Sequence, residues 1–309
     1  MSRFILRRLA STFISLFIIV SITFFLMRAV PGDPFAQEKA VPEEILKAMY
    51  SHYKLDKPWY VQYGNYLYSV ATWDLGPSFK YPGRSVNQII NQGFPISAEL
   101  GLEALLIALV AGMILGTISA YYQGKWPDYA VMIVATLGLS VPSFILAACL
   151  QYGFAMKWHL LPVARWGTFA QSILPSISLA ALPAAFIARL IRANLVEVLQ
   201  LDYIKMARAK GISNSIILVR HALRNALLPV VSYFGPLIAN VLTGSFVVEQ
   251  IFGIPGLGQW FVTSITNRDY TVIMGTTVFY SIILLLAVFF MDLVYGWLDP
   301  RIQLEDRTQ

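Results

Sequence analysis

Six apolar stretches limit what this chain can fold into. They cover residues 9–27, 97–122, 129–154, 171–192, 226–248 and 272–298, each near the roughly 20 residues a helix needs to cross the hydrocarbon of a bilayer. Lipid offers no water to unpaired backbone N–H and C=O groups, so runs of this kind are helical. The first run exceeds the roughly 7–15 residues of a signal-peptide core and ends in RAVPGDPF, without a small-x-small cleavage site; it reads as a spanning helix. The predicted fold class is an all-α integral membrane protein with six transmembrane helices. Gly112, Gly116, Pro142, Pro175, Pro183, Gly235 and Pro236 interrupt the runs, which is compatible with spanning because neighbouring helices satisfy the freed backbone groups. Gly112 and Gly116 form a GxxxG, a spacing that permits close helix approach.

Charge then orients the helices. Hydrophobic residues make up 57% of the chain and charged residues 13%, about half the charge of a soluble domain. The net charge of +6 does not form a basic patch for nucleic acid. It sits in loops flanking the apolar runs, as the positive-inside rule describes. Arg3, Arg7 and Arg8 precede the first run; Arg189, Arg192, Lys205, Arg208, Lys210, Arg220 and Arg224 lie in or beside the loop 193–225, offset by Glu197 and Asp202. The N-terminus, the turn 123–128, the loop 193–225 and the tail 299–309 are therefore expected on the cytoplasmic side. The expected units are 1–29 (tail and first helix), 30–96 (extracytoplasmic insertion), 97–298 (five-helix core) and 299–309 (cytoplasmic tail).

The insertion is rich in aromatic residues, with Trp59, Tyr60, Tyr63, Tyr66 and Tyr68, and its charges nearly balance. Ile45, Leu46, Met49, Tyr50 and Tyr53 follow helical spacing, opened by Pro42 and closed before Pro58. Such a surface suits either the reception of a soluble binding protein or the capping of a pore.

Catalytic chemistry has no foothold here. The single cysteine, Cys149, lies within an apolar run, so there is no disulfide framework, zinc spacing or redox pair. His52, His159 and His221 fall on both sides of the membrane and form no metal site. No GxSxG, HExxH or Walker lysine loop is present. Gly253, Gly256 and Gly258 lack the strand before and the Lys-Ser/Thr after that a phosphate loop requires; they are expected to make a structural turn. The chain reads as non-catalytic, with no cofactor of its own.

The stretch 202–229 stands apart. It carries Lys205, Arg208, Lys210, Arg220 and Arg224 against one acid, Asp202. A short helix closed by Gly211, then a second helix capped by Ser213 and Asn214, predicts a compact protrusion from the bilayer. MARAKGIS followed by RHALRNALLP resembles the cytoplasmic loop of permease subunits in the peptide branch of ATP-binding-cassette (ABC) importers. The broader signature of those permeases begins Glu-Ala-Ala and has glycine four residues after the last alanine. Here Lys205, Met206 and Ala207 stand at those places, followed by Gly211, so only Ala207 and Gly211 match. PGDPF, DLGPSFKY, PGLG, NRDY and LDPRI extend the resemblance from the first span to Ile302, and are similar to oligopeptide-permease B subunits.

This resemblance implies a type I importer permease-like fold in a bacterial inner membrane. The partners it implies are a second similar permease, two ABC ATPases that bind ATP and Mg, and an external peptide-binding protein. It implies that Asp202, Tyr203, Lys205, Ala207, Arg208, Ala209, Lys210, Gly211 and Ile212 form a coupling helix docked on an ATPase. Oligopeptides are the implied substrate; dipeptides, nickel chelates and glutathione are carried by others of the same branch. The residues themselves leave one rival open, an ion- or proton-coupled carrier. Such carriers place ionisable groups deep in the bilayer, whereas Glu99, Glu103, Glu249 and Asp292 lie toward span ends. Glu103 and Glu249 are candidates to line an outward cavity that receives charged peptide ends.

Overall fold

The computed structural model describes residues 2–31, 47, 49–51, 55–227, 229–230, 233–234, 237–238, 241 and 245–298. Among these the only regular structure is helical, with one isolated bridge between Pro77 and Ser85. In chain order the helices are α1 (Ser2–Ala29), α2 (Trp59–Ala71), α3 (Val86–Tyr121), α4 (Trp126–Ser140), α5 (Ser143–Leu150), α6 (Phe169–Val198), α7 (Asp202–Ala209), α8 (Asn214–Ile216), α9 (Leu223–Ala226), α10 (Phe246–Phe252), α11 (Leu257–Asn267) and α12 (Tyr270–Leu298). Two π-helical segments, Gln151–Lys157 and Ile217–Ala222, continue α5 and α8. Four helices, α1, α3, α6 and α12, are long and apolar enough to cross a membrane, and α4 with α5 makes a fifth if that pair is one span. The fifth expected span, 226–248, lies partly outside the described residues, as does most of the helix expected around Ile45 and Leu46; the tail 299–309 lies wholly outside them.

Three elements differ from the sequence reading. The span expected at 129–154 is broken: α4 and α5 are bent by 107°. Pro142 cannot donate to a helical ladder, and it pushes the residue before it, Val141, into an extended conformation. α3 begins at Val86, well ahead of residue 97, because Ser85 and Gln88 form a capping box in which each side chain bonds the other's backbone N–H. The boundary expected between insertion and core therefore falls inside one continuous helix. The expected glycine turn is present but shorter than its three glycines predict, covering residues 253–256 and leaving Gly258 in helix. Gly253 closes α10 in the left-handed conformation, at φ 61°, and Gly256 is already the N-cap of α11. Pro58 likewise stands immediately before α2, which takes up the insertion's aromatic run.

α3 and α6 form the centre of the molecule. Gly112 and Gly116 let them touch: a Cβ on Gly112 would lie 2.7 Å from the Ile187 side chain, and one on Gly116 would lie 2.6 Å from the Ala188 carbonyl oxygen. The GxxxG is thus a contact face, where small residues permit backbone approach. α1 packs along α12, joined near one end by Arg8 to Asp292 at 2.8 Å. Its other faces expose Leu6, Phe13, Ile14 and Phe17, as lipid contact requires.

The insertion is fastened to the core by a buried carboxylate. Asp269, fully buried, precedes α12 and accepts hydrogen bonds from Ser78 Oγ, the Phe79 N–H (3.1 Å), Thr271 Oγ1 (3.0 Å) and the Val272 N–H (3.3 Å). The motifs GPSFKY and NRDY, far apart in sequence, are the two halves of this one structure. Tyr81 packs edge-on against Trp260, over which Arg84 also lies at 5.3 Å.

Candidate functional site

The basic stretch forms a helical knob with one apolar side. Ile204 and Ala207 of α7 are buried against Ala120, Leu195, Ile217, Ala222 and Ala226. Asp202, Tyr203, Lys205, Met206, Arg208, Ala209 and Lys210 face outward. Burial at i and i+3 with charge elsewhere is the pattern of a short surface helix held by one stripe. Its end follows from local geometry: the Ile212 N–H bonds the Ala207 carbonyl (3.3 Å) and the Gly211 N–H bonds the Arg208 carbonyl (3.0 Å). That is a Schellman motif with Gly211 in the left-handed position at φ 77°. Asn225 Nδ2 donates to Tyr203 Oη (2.8 Å), which donates to the His221 carbonyl (3.3 Å), tying α7 to the returning segment. Arg208 lines a cavity of about 310 Å³ with Tyr121, Leu199, Asn214, Ile217 and Leu218. All nine residues expected to form the coupling element lie within the single segment 202–212, and those with charge are exposed.

Directly beneath this knob lies a cluster that charge counting passed over. Arg192 grips Asp128 with two parallel bonds, Nε to Oδ1 at 2.6 Å and Nη2 to Oδ2 at 2.8 Å. Ser119 Oγ and the Gly124 N–H (2.9 Å) also donate to the same carboxylate. Asp128 is buried, while the Arg192 side chain stays 31% exposed, and the forked, charge-assisted contact is fixed in direction. It joins the end of α3, the start of α4 and the last turns of α6. The signal in the sequence was an arginine closing one apolar run and an acid just before another; Arg192 was read only as a topology marker, and Asp128 only as the end of the turn 123–128.

The two candidate substrate-path carboxylates sit in different surroundings. Glu103, half-buried on α3, accepts a hydrogen bond from Ser176 Oγ on α6 at 2.8 Å. Glu249 is fully buried. Its carboxylate accepts from Ser97 Oγ (2.8 Å), Ser245 Oγ and the Gln259 N–H (3.1 Å) at the start of α11, while the Leu257 N–H donates to Ser97 Oγ (2.9 Å). Here it stands at a junction of α3, α10 and α11 rather than on an open wall. A helix N-terminus favours a carboxylate in this place. Gly256 and Gly258 let it come close, since a Cβ on either would collide with it. Among the described residues, no group of three or more His, Cys, Asp or Glu is placed to hold a metal ion.

Comparison with known proteins places nearly the whole chain in one family. The profile of the family "Binding-protein-dependent transport system inner membrane component" matches residues 112–304, and that of its N-terminal component matches residues 1–100. The dipeptide transport system permease protein DppB of Bacillus subtilis is 48% identical over 307 residues, 99% of this chain and 100% of that protein. The oligopeptide transport system permease protein OppB of Escherichia coli K12 is 42% identical over 306 residues, 98% and 100% of the two chains. A solved structure of the MetNI methionine ABC transporter, in inward-facing conformations, superposes with a TM-score of 0.54. It shares 18% identity and covers 68% of this chain and 94% of that one.

Proposed function

Because the chain belongs to the family of binding-protein-dependent transport system inner membrane components, we propose that it forms half of the transmembrane path of an ATP-driven importer of short peptides. The observation that carries this reading is α7: a short basic helix held to the bundle by Ile204 and Ala207 and open to a partner on its other side. With no nucleotide-binding motif in the sequence, hydrolysis belongs to partner subunits. Two ABC ATPases would grip α7, with Arg208 and Lys210 offering charge-assisted bonds to acidic groups in their grooves. A second permease would complete the path, and an extracytoplasmic binding protein would deliver peptide. The N-terminus, α7 and the C-terminal tail would face the cytoplasm. Short peptides are the substrate class because relatives named for dipeptides and for oligopeptides match about equally well over full length. Glu103 is the better placed of the two carboxylates to meet a peptide ammonium, being only half-buried. Glu249 would have to leave its hydrogen bonds to do so.

The test is transport and ATP hydrolysis by the reconstituted complex carrying Gly211→Pro or Arg208→Glu. Proline cannot adopt φ 77° and lacks the N–H that bonds the Arg208 carbonyl; Arg208→Glu reverses the charge offered to the ATPase. Both variants should insert normally and lose peptide-stimulated hydrolysis. Normal pumping by both would make the loop a topology signal alone. Uptake by this chain by itself under a proton or sodium gradient would replace the ABC reading with that of a secondary carrier.

A further inference from the structure

The geometry points to a second role for the ion pair beneath α7: we propose that Asp128 and Arg192 are the positioning residues through which movement of the coupling helix reaches the broken span α4–α5. This rests on α7 being the coupling element.

The chain of contacts is short. Ile204 and Ala207 of α7 share one buried apolar cluster with Ala120 and Leu195, α7 itself resting mainly on the segment Ile217–Ala222. Ala120 directly follows Ser119, whose hydroxyl donates to Asp128. Leu195 lies one helical turn beyond Arg192, which grips the same carboxylate. Members of the cluster that seats α7 are therefore close neighbours of the residues that hold Asp128. A push on α7 arrives at the end of α3 and the last turns of α6 together, and both deliver it to the start of α4.

α4 packs along α6, and two contacts mark the ends of that packing. One is the Asp128–Arg192 fork. The other is Gly138, where a Cβ would lie 3.1 Å from the Ala185 Cβ and 3.2 Å from the Ala181 carbonyl oxygen. Ten residues of helix separate the two, about 15 Å of rigid rod. Just past Gly138 the rod ends at Val141 and Pro142, where the chain bends by 107° into α5. With both attachments made, α4 and α6 turn as one body and the bend takes up the difference. Without the fork, α4 keeps its apolar packing against α3 and α6, through Val131, Ala135 and the Gly138 contact, but loses the directional bond that fixes its near end.

The choice of an ion pair supports transmission over simple cohesion. For stability alone, apolar residues of similar volume do as well in a buried site. A forked arginine–carboxylate contact adds fixed distance and angle, which a linkage under load requires and an apolar contact, free to slide, does not supply.

The experiment uses the complete importer (this chain with its permease, ATPase and binding-protein partners) in lipid nanodiscs and proteoliposomes, with trialanine as the probe. Asp128→Asn is compared with the double variant Asp128→Asn/Arg192→Gln, which removes both charges and leaves no lone buried ion. The expected result is basal ATP hydrolysis within about twofold of wild type, with peptide- and binding-protein-stimulated hydrolysis and uptake falling about tenfold, a coupling loss in the range known for linked sites. Stimulation at wild-type level in either variant overturns the proposal. So does a proportional fall of basal and stimulated hydrolysis in both, which makes the pair a folding element only. Failure of the underlying reading is seen separately: it is the case in which Gly211→Pro pumps normally, whatever Asp128→Asn does.

Discussion

At the scale of single residues, three buried carboxylates organise this chain, and each is held by donors brought from distant sequence. Glu249 shows what such a site demands. Its two oxygens accept from Ser97, Ser245 and the N-terminus of α11, and Gly256 and Gly258 stay bare so that it fits. Glu249→Gln sets an amide N–H₂ either against the Gln259 N–H, donor to donor, or against the serine hydroxyls, which must then turn to accept it and give up their charge-assisted bonds. A buried donor left without an acceptor costs about 1–3 kcal/mol. The expected outcome is a lower Tm of the purified protein in detergent, and a larger fall for Gly256→Ala, whose Cβ would lie 2.6 Å from Ser97 Oγ. A Glu249→Gln protein with wild-type Tm and impaired peptide uptake would instead return this carboxylate to the substrate path. Glu103, with a single serine partner, is the control: its replacement by Gln should leave Tm unchanged.

At the scale of elements, the bundle is built on the small-residue face between α3 and α6. Gly116→Val forces a side chain into the Ala188 carbonyl and the Ile191 Cβ, at 2.6 and 2.9 Å from the new Cβ; overfilling of this kind costs about 1–3 kcal/mol. Gly64→Ala on α2, with nothing within 4 Å, should leave Tm unchanged in the same assay, and equal effects would deny the face its role. Much of this level was legible in the sequence. Apolar run length located α1, α6 and α12, and Gly211 marked the end of α7, because both signals are local. Most of what escaped depended on partners. The break at Pro142 was read as tolerated because proline inside a helix has either outcome; Pro95, Pro175 and Pro183 remain inside α3 and α6. The start of α3 carried a local signal that went unread, the capping box of Ser85 and Gln88; what is non-local is the burial of Val86, Ile89 and Ile90 by Leu75, Leu257 and Val272. For the same reason Arg192 was readable as a charge and not as the partner of Asp128.

At the scale of the whole molecule, the buried polar clusters lie toward the two ends of the bundle while small and apolar contacts fill its middle. Asp128 and Arg192 close one end beside α7. Glu249 and Asp269 close the other, at the two ends of α11, so that this helix is fixed to α3 by its start and to the insertion by the residue after its end. A transporter that alternates between states needs regions that keep their shape while others slide, and directional polar bonds keep shape better than apolar contact does. The insertion should therefore travel with α11 and α12 as one rigid piece, with Asp269 as the fastening. Asp269→Asn tests this: it weakens charge-assisted bonds to Ser78 and Phe79, each worth about 1.5–3 kcal/mol, without touching α7. Cleavage of a transiently opened segment follows the population of the open form. A loss of about 1.4 kcal/mol therefore means trypsin cutting after Lys80 or Arg84 about tenfold faster in lipid nanodiscs, which leave both faces open to the protease, with cleavage within the loop 193–225 unchanged. Equal acceleration at both ends would show that the variant loosens the whole bundle, and no acceleration would show that Arg84 and Tyr81 on Trp260 hold the insertion without help from Asp269.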